Sequence, residues 1–224
     1  MKIGTVVLLT FLPLLSYGQE PDNFELKRNL LKFAPQQFRV KSLKLGIEHF
    51  NTSFNKSYSL YFIIRKEKNN QEDYPTGYDG AGIEFQYRAY LKPLQYYTKG
   101  DKKGYRQGIY LGVFPRGNSF NGDQFYPYSE YDQAGNIIYS VYQTQEKTSN
   151  WGTGLIIGLQ HVLWKIITVD LYAGGGVQWS DIKKSGSLPP NYTLYYFYNG
   201  GHERYDPGFQ GILAKFGAQI GISL

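Results

Sequence analysis

Gly82-Ile83-Glu84-Phe85-Gln86-Tyr87-Arg88-Ala89-Tyr90-Leu91 alternates with a period of two. Ile83, Phe85, Tyr87, Ala89 and Leu91 fall on one side, and Glu84, Gln86, Arg88 and Tyr90 on the other. Successive side chains of a β-strand point to opposite faces, so the stretch reads as a strand with one greasy and one polar face. Its length, about ten residues, is enough to cross a bilayer at a tilt of roughly 45°. Two arrangements use such a strand. One turns the apolar face to lipid and the charges to a lumen; the other buries the apolar face in the core of a water-soluble barrel or sandwich.

Outward from that stretch the same pattern recurs. Eight strands are expected, at about 24–33, 40–50, 57–66, 82–91, 105–114, 150–161, 167–179 and 209–224. In the first, Leu26 and Leu30 share a face opposite Lys27 and Asn29. Polar, Gly- and Pro-containing stretches separate the strands, the longest being 115–147 and 180–207. Asn121-Gly122 and Asn199-Gly200 read as hairpin tips, which would let strands project beyond the barrel.

The start of the chain reads as a secretory signal: Lys2, an apolar run from Val6 to Leu15, and small residues before a cut preceding Gln19. Residues 1–18 are then the signal peptide and 19–224 a single β-barrel domain. The apolar run is too short to span as a helix, and no later stretch approaches ~18 continuous apolar residues. The chain has no cysteine, which excludes a lipid-anchored lipoprotein, a disulfide framework and any thiol-based metal or nucleophile chemistry. Tyr 22, Phe 14 and Gly 26 in 224 residues point to β-structure in a bacterial envelope. The formal net charge of +6 falls to +5 when Lys2 is removed with the signal. The basic residues are scattered through strands and turns, so no nucleic-acid partner is expected, and contact with lipopolysaccharide is the weaker alternative to a merely solvated charge.

Glycine decides between the two arrangements. Gly46, Gly108, Gly112, Gly158, Gly174 and Gly217 all fall on polar faces. An eight-stranded barrel is only just wide enough inside for side chains, so long Arg, Glu and Tyr fit there if their neighbours are tiny. A lipocalin-like barrel, with large apolar residues inward, has no such need. Connections after the third, fifth and seventh strands are long and those after the second and sixth short, the asymmetry of outer-membrane barrels. Trp151 and Trp179 share the apolar face near one end of their strands, as an aromatic girdle would; Trp164 lies at the opposite turn.

These features make the chain similar to the small OmpX/OmpA-type outer-membrane barrels, and in particular to an uncharacterised family of such barrels from Gram-negative envelopes. The pieces that carry the resemblance are Asn29-Leu30-Leu31, Leu45-Gly46-Ile47-Glu48, Gly82–Tyr90, Gly108-Ile109-Tyr110-Leu111-Gly112, Gly158-Leu159-Gln160 and Asp170-Leu171-Tyr172-Ala173-Gly174-Gly175-Gly176. The chain departs from that pattern by ending on Leu224, where such barrels usually end on an aromatic residue. The resemblance implies an all-β, eight-stranded antiparallel transmembrane β-barrel with long external loops in the cell outer membrane. It implies no established activity.

Inward-facing charges are expected at Lys27, Lys44, Glu48, Arg65, Glu84, Arg88, Arg106, Asp170 and Lys215. In a narrow lumen they should pair, because an unpaired charge away from bulk water is costly. A paired set would plug the barrel; a thin ion path would favour anions, since basic residues outnumber carboxylates six to three in this set. The three histidines, His49, His161 and His202, invite a barrel enzyme acting on envelope lipid, but none stands beside a nucleophile motif, and each reads as an interfacial or loop residue. His202, Glu203 and Asp206 make a still weaker metal set. Aromatic residues crowd the two long connections: Phe125, Tyr126, Tyr128 and Tyr131 in one, Tyr195, Tyr196 and Tyr198 in the other. Tyr mixed with Ser, Gly and Asn gives amphipathic contact area at low entropic cost. The expectation is therefore a monomeric, non-enzymatic barrel without cofactor or metal, embedded among outer-membrane lipid and lipopolysaccharide, with an external protein or glycan as the ligand of the Tyr-rich loops. A narrow anion-leaning channel is the alternative.

Overall fold

The computed structural model describes residues 27–66, 77–92, 98–99, 102–103, 106–131, 136–163, 166–185, 193–194 and 210–224. Eight antiparallel strands form a closed barrel. They are β1 (Asn29–Phe33), β2 (Ser42–Phe50), β3 (Lys56–Lys66), β4 (Gly77–Lys92), β5 (Arg106–Tyr131), β6 (Ile137–Leu163), β7 (Ile167–Ser185) and β8 (Gly211–Ser223). Each pairs with its neighbour in sequence, and β1 closes the ring against β8. No α-helix occurs among the described residues; a single 3₁₀ turn, η1 (Pro35–Val40), joins β1 to β2.

The pairing fixes the stagger. From Glu84 on β4, stepping across partners through β5, β6 and β7 reaches Gly211 on β8; stepping the other way through β3, β2 and β1 reaches Gly221. The ring therefore closes with a shift of ten residues. With strands ~4.8 Å apart and ~3.3 Å per residue, that shift tilts the strands by about 40° from the barrel axis.

The wall is uneven in height. Asn29 and Leu224 lie together at one end, here the lower end. Toward the upper end β5 and β6 continue as a long hairpin with unbroken register from Arg106↔Val162 to Tyr131↔Ile137. β4 accompanies the hairpin as far as Gly77↔Asp123, and β7 as far as Ser185↔Gln145. A short strand at Thr193–Leu194 adds to its edge opposite Ser129 and Tyr128. The stretch 115–147, expected as a loop, is thus mostly sheet. Asn121-Gly122 is not a tip: it sits mid-strand opposite Lys147 and Glu146. The local preference of Asn-Gly for a turn yields to the ladder running through it on both sides. Pro115, which has no N–H to give, falls where the β4–β5 ladder skips Phe85 and Gln86.

β1 is also corrected. It starts at Asn29 instead of about 24, and Leu30 and Lys32 point inward while Leu31 points out. Two leucines in a row carry no phase, so a five-residue strand does not announce its own orientation.

Outward faces are apolar over a limited height. On β7 the band runs Val169, Leu171, Ala173, Gly175, Val177 and Trp179, and then gives way to Asp181, Lys183 and Ser185. On β6 the switch comes between Trp151 and Ser149, whose partners are Trp179 and Asp181. From Val169 to Trp179 is about 33 Å of strand, or about 25 Å along the barrel axis at this tilt. Ile47, Phe62, Ile83, Leu111, Ile157 and Ile222 are all exposed within this band.

Candidate functional site in the charged lumen

Inward-facing residues stack in layers. The lowest is apolar: Leu30 and Phe50 are completely buried, with Tyr90 and Val162 beside them and Phe54 packed from the β2–β3 turn. Phe50 and Tyr90 rings lie 5.7 Å apart. This layer seals the lower end.

Above it four charges from four strands converge. Lys32 Nζ is 2.5 Å from Glu48 Oε2 and 2.9 Å from Asp170 Oδ2. Arg88 Nη1 is 2.7 Å from Asp170 Oδ2 and 3.2 Å from Glu48 Oε1. All four side chains have 0% exposure. Two cations and two carboxylates make the quartet neutral, and neutral side chains take up its remaining hydrogen-bonding capacity. Tyr110 Oη donates to Asp170 Oδ1 at 2.8 Å, Ser57 Oγ to Glu48 Oε1 at 2.6 Å, and Gln160 Nε2 to Glu48 Oε2 at 3.3 Å. Arg88 Nε and Nη2 both donate to Gln86 Oε1, at 3.0 and 2.6 Å, and the guanidinium lies 4.4 Å from the Tyr110 ring centroid. Buried charges are tolerated when paired and hydrogen-bonded in this way, and removing one member leaves the others uncompensated.

Glycine makes the space. A Cβ on Gly46 would run into the Tyr61 ring of its cross-strand partner, and one on Gly158 into the Tyr110 ring. Each tyrosine lies flat over the glycine opposite and reaches the network: Tyr61 Oη donates to Gln219 Oε1 at 2.7 Å. Gly46 and Gly158 are therefore the complement of the inward tyrosines, Tyr61 and Tyr110.

A second charged layer lies above the first. Glu84 Oε1 is 2.9 Å from Lys44 Nζ and 2.6 Å from Lys215 Nζ. Gln86 joins the two layers by donating to Glu84 Oε1 at 2.5 Å. Lys215 Nζ also stands 3.6 Å over the Phe114 ring. Higher still, Arg116 Nη2 donates to Gln178 Oε1, Asn118 Nδ2 donates to Asn150 Oδ1 at 2.7 Å, and the Arg65 guanidinium lies 6.0 Å from the Phe120 ring centroid.

Of the charges expected in the lumen, Lys44, Glu48, Glu84, Arg88, Asp170 and Lys215 join the two layers, and Arg65 is buried above them. Lys27 is not in the lumen: it precedes β1 and is exposed. Its place is taken by Lys32, five residues on, which sequence reasoning missed because β1 was given the wrong phase. The alternation Leu31-Lys32-Phe33 was the available signal. Gln86, Gln160 and Gln219, all fully buried, were legible as polar-face residues but not as network members. Arg106 is placed by its backbone alone, at the head of β5 opposite Val162.

Trp151 and Trp179 are cross-strand partners whose rings stack at 4.2 Å on the outer face, where the apolar band ends. Trp164, Tyr195, Tyr196, Tyr198 and His202 lie outside the described residues. Phe125, Tyr126, Tyr128 and Tyr131 sit in β5, in the projecting hairpin. Of the other histidines, His49 faces outward with Nδ1 2.8 Å from Asn29 Oδ1, and His161 is half-buried near the lower end of β6. Among the described residues no group of three His, Cys, Asp or Glu is placed to hold a metal ion. Compared with known protein families, with curated proteins and with solved structures, the chain matches none.

Proposed function

We propose that this protein is a non-enzymatic outer-membrane β-barrel that carries a tall hairpin as a contact surface. One observation supports this above all: the sheet is turned inside out relative to a soluble protein. Arg88, Glu48 and Asp170 are wholly enclosed, while Ile83, Leu111 and Phe216 are exposed. Water would penalise that outer face, whereas hydrocarbon accommodates it. A closed barrel leaves few sheet edges, the condition for strands in lipid. The apolar band of about 25 Å and the tryptophan pair at its rim match the dimensions of such barrels. The neutral quartet over a greasy lower plug favours a structural core over an ion path. Above the band the hairpin of β5 and β6 carries Phe125, Tyr126, Tyr128 and Tyr131, the candidate surface for an external protein, glycan or lipopolysaccharide.

The test is reconstitution. The purified chain should need detergent or lipid to stay in solution, migrate differently on gels before and after boiling, and give no stepwise conductance in a planar bilayer. Free solubility in water would overturn the membrane placement. Stepwise, anion-favouring conductance would overturn the plug and favour the channel.

A further inference from the structure

β8 runs from Gly211 to Ser223, yet its neighbour β1 is only five residues long. On that side, among the described residues, β8 is paired only from Ile220 to Ser223. The Leu224 N–H donates to the Asn29 carbonyl, so the backbone groups of every second residue back along β8 face the same edge. Ala218, Phe216, Ala214 and Ile212 therefore present N–H and C=O groups to a stretch of wall with no ladder partner among the described residues.

The turn η1 stands in for the strand that is not there. It packs against both β2 and β8. The Ala34 N–H donates to the Lys44 carbonyl, and Gln36 Nε2 donates to Tyr172 Oη at 3.4 Å beside Gly217. Gln36 Oε1 is enclosed there with no hydrogen-bond partner among the described residues. A 3₁₀ turn has poorer hydrogen-bond geometry than a ladder and cannot match the repeat of a strand edge, so among the described residues the wall is closed less firmly here than where strand meets strand.

Behind the seam the wall is thin: Gly154, Gly174, Gly176 and Gly217 keep exposed surface, whereas Lys215, Asp170, Tyr172 and Gln219 are buried. The charge there is unbalanced. Glu84 is shared by Lys44 and Lys215, and its cross-strand partner is Arg116, whose Nε is enclosed with no hydrogen-bond partner among the described residues. Two lysines share one carboxylate here, with Arg116 just above, against two cations and two carboxylates in the layer below.

We propose that the seam between β8 and η1 is a lateral port through which the upper lumen takes the anionic head of a single-chain amphiphile, a fatty-acid-like carboxylate. Lys215 pairs across to Gly174, midway along the apolar band, so an anion arriving through the seam from the bilayer must carry hydrocarbon. Its head would meet Lys215 and Arg116, satisfying buried positive charge. Its chain would stay outside on Ile212, Phe216 and Phe38, which are 83%, 78% and 59% exposed. The port rests on the membrane placement proposed above and goes beyond it.

The probes are oleate, oleyl alcohol (the same chain without charge) and acetate (the charge without a chain), titrated against the purified protein in non-ionic detergent and read by native mass spectrometry. Oleate should bind about one per protein and at least about tenfold more tightly than the alcohol, and acetate should not bind. Lys215→Gln should abolish the preference for oleate over the alcohol. Phe216→Ser should weaken oleate binding, and Ile83→Ser, outward on the opposite wall, should leave it unchanged. Equal binding of alcohol and oleate, binding of acetate, an unaffected Lys215→Gln variant, or equal losses in the two serine variants would each overturn the port. Only variants that keep the folded-barrel gel mobility are compared; if Lys215→Gln does not fold, the two serine variants decide. A wild-type protein that stays soluble without detergent would instead sink the membrane placement.

Discussion

The lower and upper charged layers of the lumen both set basic side chains against carboxylates and share strands β2 and β4, yet they close their accounts differently. Below, Lys32 and Arg88 meet Glu48 and Asp170, and every head group is fully enclosed. Above, Lys44 and Lys215 share Glu84, with Arg116 beside them, and the wall at that height is completed by a turn instead of a strand. A balanced, hydrogen-bonded set in an enclosed space holds its members in place. An unbalanced set next to a weak seam can respond to what enters.

The largest effect should come from breaking the lower layer. Arg88→Met leaves Glu48 and Asp170 facing only Lys32, and removal of one partner of a buried set costs about 3–5 kcal/mol; urea unfolding in lipid vesicles measures it. Gly158→Val attacks the same layer through space, by pushing a side chain into the Tyr110 ring, and should cost about 1–3 kcal/mol by overpacking. Glu84→Gln is the matching change above. It should destabilise by less than Arg88→Met, and it should increase the affinity for oleate, since it removes the competing carboxylate. Comparable losses for Arg88→Met and Glu84→Gln would erase the contrast between the layers. Trp179→Ala, at the rim and away from both, should cost about 1 kcal/mol through its stacked partner Trp151. Lys183→Ala should change nothing measurable, because its contact with Asp181 is a 4.0 Å surface pair.

Gly82–Leu91 announced both its type and its two faces because five apolar and four polar residues alternate without error, and every member ended on the expected side. β1 was misjudged because Leu30-Leu31 has no phase and only Lys32 could have supplied one. The hairpin beyond Pro115 reads as loop in the sequence because Pro, Asn and Gly there carry turn signals, and their strand state is set by distant partners, from Val141 for Pro127 to Thr153 for Pro115. The charges Glu48, Glu84, Arg88 and Asp170 could be named from their faces. Their sorting into a neutral quartet and an unbalanced trio could not.

From the chain alone came the strand class, the number of strands, and which face of each is greasy, since side-chain direction along a strand is a local property with a period of two. Only the tertiary structure decided which charge meets which. That depends on the ten-residue stagger at which the ring closes, and stagger is a sum over all eight pairings. The same closure left β8 longer than β1, and so put the seam beside the layer whose charges do not cancel.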